Sequence, residues 1–199
     1  QGVTPEFLGN SFYVCKSKLP GRNLAARIKV LSDKMLDSYA RNAVQDRLDV
    51  LLPSLFISRG KSFKLRCSAA KAKALVPFAA QLSQELLSSE DHSENAIRLA
   101  ASHLKQLYDT LSETSIFATD LAKEHGMRFA ILYVGLHDAH NHMDDRRFRI
   151  KPKLHLFMHI CEDGSRPSRH WNYRDEDWGG SVARLSRRRG GILSCQAVS

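Results

Sequence analysis

The chain has 199 residues, of which 43% are hydrophobic and 26% charged, and a formal net charge of +9. This composition suits one domain with a buried core plus an appended element, and it excludes a disordered chain. The longest apolar run, Phe129 to Leu136, is interrupted only by Gly135 and falls far short of the roughly 20 residues a membrane span needs.

Residues 1–22 hold Pro5, Gly9, Pro20 and Gly21 as breakers and are expected to be irregular. Asn23 is a candidate cap for a helix running to about Asp49, with Leu24, Ile28, Leu31, Met35 and Tyr39 at helical spacing. Val44, Leu48, Leu51 and Leu52 extend it or form a second short helix, and Pro53 ends the stretch. The alternation Phe63-Lys64-Leu65-Arg66 fits a short strand or hairpin near 54–66. Gly60-Lys61-Ser62 is not a phosphate loop, because the glycine required five residues earlier is Leu55.

Ser68 is placed to cap a helix from Ala69 to Leu87, with Pro77 as a kink or break. Glu90 and Asp91 suit the first turn of a helix reaching about Leu111, whose apolar stripe is Ile97, Leu104, Leu107, Tyr108 and Leu111. A further helix runs from near Thr119 toward His137, and its apolar second half predicts burial on all sides. The fold class is therefore mainly α: a helical bundle or array over 23–145, followed by a basic C-terminal helical element over 146–199.

The four cysteines, Cys15, Cys67, Cys161 and Cys195, form no C-x-x-C pair. A disulfide scaffold or zinc ribbon is not expected, and reduced thiols suit a nuclear or cytoplasmic protein. The chain does not open with Met, and no signal-peptide pattern stands near Gln1. We expect a fragment or processed product that is neither secreted nor membrane-bound.

The positive charge is uneven. From Arg146 to Arg189 there are 12 Lys/Arg against 5 Asp/Glu, interleaved with Trp171, Tyr173 and Trp178. Concentrated positive charge attracts polyanions, so this stretch is expected to contact nucleic acid, DNA first, with RNA offering the same phosphates. The expected contacts are Lys151, Lys153, Arg174, Arg184, Arg187, Arg188 and Arg189 on phosphates, with Trp171 or Tyr173 stacking on exposed bases.

Pro152 suits the first turn of a helix over Lys153 to Cys161 with Leu154, Phe157, Met158 and Cys161 inward. His155 and His159 share one side of it and have the spacing of two ligands on one metal ion. The metalloprotease pattern fails, because Leu156 stands where Glu is required, and polar packing or phosphate contact is the plainer reading of both. The cluster of His137, His140 and His142 with Asp138, Asp144 and Asp145 carries metal-ligand types, but a solvated helix end explains it as well. Beyond a loop, a helix from about Arg174 to Arg189 buries Trp178, Val182 and Leu185, which turns Glu176 outward beside Gly180, Ala183 and Arg187. A carboxylate amid arginines suits a magnesium ion held against a phosphate. A solvated acidic first turn is the plainer alternative.

The order Lys151-Pro152-Lys153-x-His155-x-x-x-His159, a loop, Trp171-x-Tyr173-Arg174-x-Glu176 and a basic helix resembles the C-terminal end of eukaryotic cut-and-paste transposases with an RNase H-like core and a helical insertion. The resemblance covers about 40 residues. It implies that Glu176 is the last metal-binding acid of an Asp-Asp-Glu set, that His155 and His159 match the family's histidine-bearing helix, and that Asn23 to about His137 correspond to the insertion. It also implies magnesium as the cofactor. The strand-borne first and second Asp are not found here and are expected upstream of Gln1, so the chain is expected to be inactive alone; Asp175 and Asp177 flank Glu176 and compete for its role. The alternatives are a noncatalytic nucleic-acid-binding module and a helical scaffold whose basic tail meets an acidic protein.

Overall fold

The computed structural model describes residues 2–42, 44, 46–59, 62–112, 119–141 and 147–162. The chain divides into two units, Gln1–Ser168 and Arg169–Ser199; the second lies outside the described residues. The first is mainly helical, as composition and periodicity lead one to expect. Its helices are α1 (Val3–Ser17), α2 (Leu24–Asn42), α3 (Ala69–Leu86), α4 (His92–Ser112), α5 (Thr119–Asn141) and α6 (Pro152–Glu162). A single 3-10 turn, Pro53–Leu55, leads into an antiparallel hairpin of β1 (Phe56–Arg59) and β2 (Ser62–Leu65) that pairs Phe56 with Leu65. The hairpin falls inside the stretch 54–66 anticipated from the alternation.

The segment expected to be irregular is instead the central helix. In α1, every residue from Val3 to Phe12 is buried. Pro5 does not break it, because a residue in the first turn has no intrahelical carbonyl to bond. Gly9 belongs there for a tertiary reason: a Cβ at Gly9 would stand 2.6 Å from the Phe63 carbonyl oxygen and 2.7 Å from the Leu65 nitrogen. Only glycine lets the strand backbone come this close. Asn10 secures the same contact, accepting from the Phe63 N–H and donating to the Glu6 carbonyl, each at 2.9 Å. Tyr13 stacks on Phe63 with ring centroids 3.5 Å apart.

Asn23 caps α2 by accepting from the Ala26 N–H at 2.9 Å. Ile28, Leu31, Met35 and Tyr39 are buried as their spacing predicts, while Leu24 is exposed. The helix ends at Asn42 rather than near Asp49. The chain takes a left-handed conformation at Asp46, with φ 52°, and returns so that Leu48 and Leu51 bury beside α2, where the Ser32 hydroxyl accepts from the Leu51 N–H at 3.0 Å. Of the four apolar residues read as helix continuation, Leu48 and Leu51 are thus core residues of a returning strap, while Leu52 is exposed. Ser68 caps α3 through the Lys71 N–H, and α3 runs past Pro77 without interruption.

Asp91 caps α4 by accepting from the Glu94 N–H at 2.8 Å. Helices α4 and α5 pack antiparallel: His140 near the end of α5 meets Ser93 at the start of α4, and His125 meets His103 midway. The apolar second half of α5 is not buried on all sides. Phe129, Ala130, Tyr133 and Leu136 face the core, while Ile131 is 66% and Val134 36% exposed. Successive residues are set about 100° apart, so a run of eight residues, seven of them apolar, covers both faces and only one has partners.

Helix α6 spans the predicted stretch and lies antiparallel on α5. Phe157 meets Phe129 edge-on at 5.4 Å, and Leu154 and Cys161 are buried. A Cβ at Gly126 would stand 2.3 Å from Cys161 Sγ, so this glycine sets the approach of the two helices. Because α6 packs into the body, it belongs to the first unit.

Candidate anion-binding cleft

Residues 147–151 join α5 to α6 through an unusual conformation. Phe148 has φ 54°, a left-handed value that costs a residue with a Cβ about 1–2 kcal/mol. Its ring is fully buried against Phe7, Tyr133 and His140, with centroids 6.2, 6.0 and 5.6 Å away. Burying a Phe side chain returns about 1.5–3 kcal/mol, enough to offset the strained backbone. The anchored ring fixes the neighbouring basic residues. The Tyr133 hydroxyl donates to the Arg149 carbonyl at 3.1 Å, and burial, with the nearby Glu6 carboxylate, pushes the Tyr133 phenol far above its ordinary value.

Beside this anchor is a cleft of about 420 Å³ lined by Glu6 of α1, Lys64 of β2, Tyr133 of α5, and Arg149, Lys151 and Lys153 around the start of α6. Four basic side chains and one carboxylate line it, so its net charge is positive. Gly2 and Val3 at the N-terminus of α1, and Pro152 and Leu154 in the first turn of α6, also line it. Two helix N-termini add the partial positive charge of their dipoles.

Glu6 organises the cleft from within. It is 4% exposed; the Ser62 hydroxyl donates to its Oε1 at 3.2 Å and the Lys151 ammonium to its Oε2. A buried carboxylate must be compensated in this way, because desolvation without a partner is expensive. Lys151 is therefore not the bare phosphate-seeking cation that the sequence suggests: one of its hydrogen bonds is committed to α1. Its side chain remains 48% exposed. Lys153, the second residue of α6, is exposed.

Other anticipated sites fall elsewhere. His155 and His159 lie on the exposed side of α6, their Nε2 atoms 2.9 Å apart. His140 turns inward, its Nε2 meeting the Ser93 hydroxyl at 3.0 Å, so it serves packing. His142, Asp144 and Asp145 lie outside the described residues, as do Glu176, Trp171, Tyr173, Arg174, Arg184, Arg187, Arg188 and Arg189. Among the described residues, no three His, Cys, Asp or Glu side chains gather as a metal site, and no helix is long and apolar enough to cross a membrane. Cys15, Cys67 and Cys161 are free thiols, and burial raises them to about 12, 11 and 12 respectively.

Sequence reasoning missed Glu6, Lys64, Tyr133 and Arg149. One signal was present. Arg147, Arg149, Lys151 and Lys153 recur at every second residue around Phe148, a local concentration of basic residues of which the last three line the cleft. Nothing local marks Glu6 or Lys64, which reach the cleft only because the hairpin docks on α1. No protein-family model, curated protein or solved structure matches this chain.

Proposed function

We propose that this chain contacts the phosphate backbone of a nucleic acid, through the cleft of the first unit together with the basic segment that follows it. The observation that carries this reading is the gathering of Lys64, Arg149, Lys151 and Lys153 around one cleft at two helix N-termini. Cationic side chains and helix N-termini are the groups that bind phosphate oxygens. The sequence from Arg146 to Arg189 carries a further excess of positive charge, 12 Lys/Arg against 5 Asp/Glu.

The test is a fluorescence-anisotropy titration with labelled single- and double-stranded DNA and RNA at about 50 and 200 mM salt. Binding falls steeply with salt, because each phosphate neutralised on duplex DNA contributes about 0.9 to the logarithmic slope. Lys64→Ala combined with Lys153→Ala flattens that slope by about two. Absence of binding at the lower salt overturns the reading and turns attention to an acidic protein partner. An unchanged slope in the double variant removes the cleft from it.

The transposase resemblance extends the proposal to magnesium-dependent phosphodiester chemistry with Glu176 as one metal ligand. On that extension, Glu176→Gln abolishes any magnesium-dependent gain in affinity and leaves magnesium-free binding intact. Equal behaviour of wild type and variant in magnesium removes Glu176 from metal binding.

A further inference from the structure

Helix α6 carries two imidazoles on one exposed side. His155 and His159 are four residues apart, which places their side chains together on a helix surface. Their rings stand at 75° with centroids 4.2 Å apart, and the Nε2 atoms converge to 2.9 Å. Two nitrogen donors at that separation, each about 2.0–2.1 Å from a common ion, subtend roughly 90° at it. A tetrahedral pair with the same bond lengths would stand about 3.3 Å apart. Adjacent imidazoles at a right angle belong to the tetragonal coordination of Cu(II) and Ni(II), rather than to a tetrahedral zinc site.

A second observation concerns the other nitrogen of one ring. Glu162 lies 3.7 Å from His159 Nδ1. That is beyond hydrogen-bond range, and a small side-chain rotation lets the carboxylate accept from an Nδ1–H, the tautomer that leaves the Nε2 lone pair as the donor and by which metal-bound histidines are oriented from behind. Another close histidine pair among the described residues, His103 and His125, is different. It bridges α4 and α5 through Nδ1 atoms 3.2 Å apart and is half-buried between them.

The geometry points to a surface chelate on α6 for a tetragonal divalent transition-metal ion, Cu(II) ahead of Ni(II), with His155 Nε2 and His159 Nε2 as adjacent ligands, water in the remaining positions and Glu162 orienting His159. Cu(II) leads because it heads the affinity order for nitrogen sites. Without metal, one Nε2–H donates to the other Nε2. When the ion binds, the donor ring carries that proton on Nδ1 instead, so a neutral pair releases no net proton.

The full chain is titrated with Cu(II) alone in a non-coordinating buffer, followed by calorimetry and by electron paramagnetic resonance of the first equivalent. The expected spectrum is tetragonal with imidazole nitrogens bound. His155→Ala and His159→Ala each weaken that first equivalent at least tenfold, and Glu162→Gln weakens it by about tenfold or more. His103→Ala leaves it unchanged. All the substituted α6 residues are exposed, and an unchanged helical circular-dichroism spectrum verifies that the fold persists. The site is overturned if no equivalent binds, if the first equivalent survives in the His155→Ala/His159→Ala double variant, or if His103→Ala removes it. Full affinity in Glu162→Gln overturns the orienting role of Glu162.

Discussion

The Lys151 ammonium donates to the Glu6 carboxylate, joining two residues 145 positions apart. Glu6 sits in the most buried helix of the fold, and Lys151 immediately precedes α6. Their pair ties the first helix to the last described one across the floor of the cationic cleft. It also lowers the cleft's net charge, so the groups that hold the fold together here are the groups that set its affinity for anions.

Lys151→Ala removes the ammonium partner of the buried Glu6 carboxylate, to which the Ser62 hydroxyl also donates. Breaking a fully buried pair costs about 3–5 kcal/mol. Lys151 is half-exposed, so solvent screening reduces the loss to about 1–2 kcal/mol, read as a lower urea midpoint. Glu6→Gln has the opposite effect on binding: it frees Lys151 and tightens oligonucleotide binding, with a salt slope steeper by about one. Weaker binding in Glu6→Gln, with the fold intact, would count against the cleft as the anion site.

Two glycines of one helix are expected to respond in opposite directions to alanine. At Gly135, a Cβ meets nothing within 4 Å, and Gly135→Ala stabilises the protein by about 0.5–1 kcal/mol through helix propensity. At Gly126, the new methyl would overlap Cys161 Sγ, and Gly126→Ala destabilises by about 1–3 kcal/mol despite the same propensity gain. Thermal melts of the two variants check the signs, and adding Cys161→Ala to Gly126→Ala recovers part of the loss.

The thiols predict an alkaline limit to stability. Burial holds Cys15 and Cys161 at about 12 and Cys67 at about 11, against an ordinary value of 9.0. Above pH 9 the unfolded chain ionises these thiols while the folded chain keeps them protonated. The native state then binds more protons, and stability falls as pH rises from 9 toward 11–12. The slope is at most about 1.4 kcal/mol per thiol per pH unit. Urea midpoints at pH 8 and 10 measure it, and Cys15→Ala makes the decline shallower.

His103 sets a limit on the acid side. Burial first, and then the neighbouring His125, holds its imidazole below the ordinary 6.5. As pH falls below 6.5 the unfolded chain takes up this proton before the folded one does, so stability is lost until the lower, folded value is passed. Proton NMR titration of the ring resonances is expected to place His103 below a free imidazole. His103→Gln makes the acid decline of the urea midpoint shallower.

What the sequence determined by itself is local. Caps at Asn23 and Ser68, the 3.6-residue spacing of Ile28 to Tyr39 and of Ile97 to Leu111, and the inward face of α6 were legible because each depends on hydrogen bonds and side-chain positions within a few turns of chain. The His155–His159 juxtaposition was legible for the same reason. What only the tertiary structure decided is what depends on distant partners. Gly9 and Pro5 look like breakers until β2 lies against α1 and the first turn of α1 is seen to need no carbonyl bond from Pro5. Leu48 and Leu51 look helical until the left-handed turn at Asp46 sends them back along α2. The exposed Ile131 and Val134 cannot be told from the buried Phe129 and Tyr133 by hydrophobicity, since the side of α5 that is covered depends on where α1, α4 and α6 pack. The cleft belongs to this second class: Glu6, Lys64 and Lys151 come from three separate parts of the chain, brought together by the docking of the hairpin on α1 and by the Glu6–Lys151 pair.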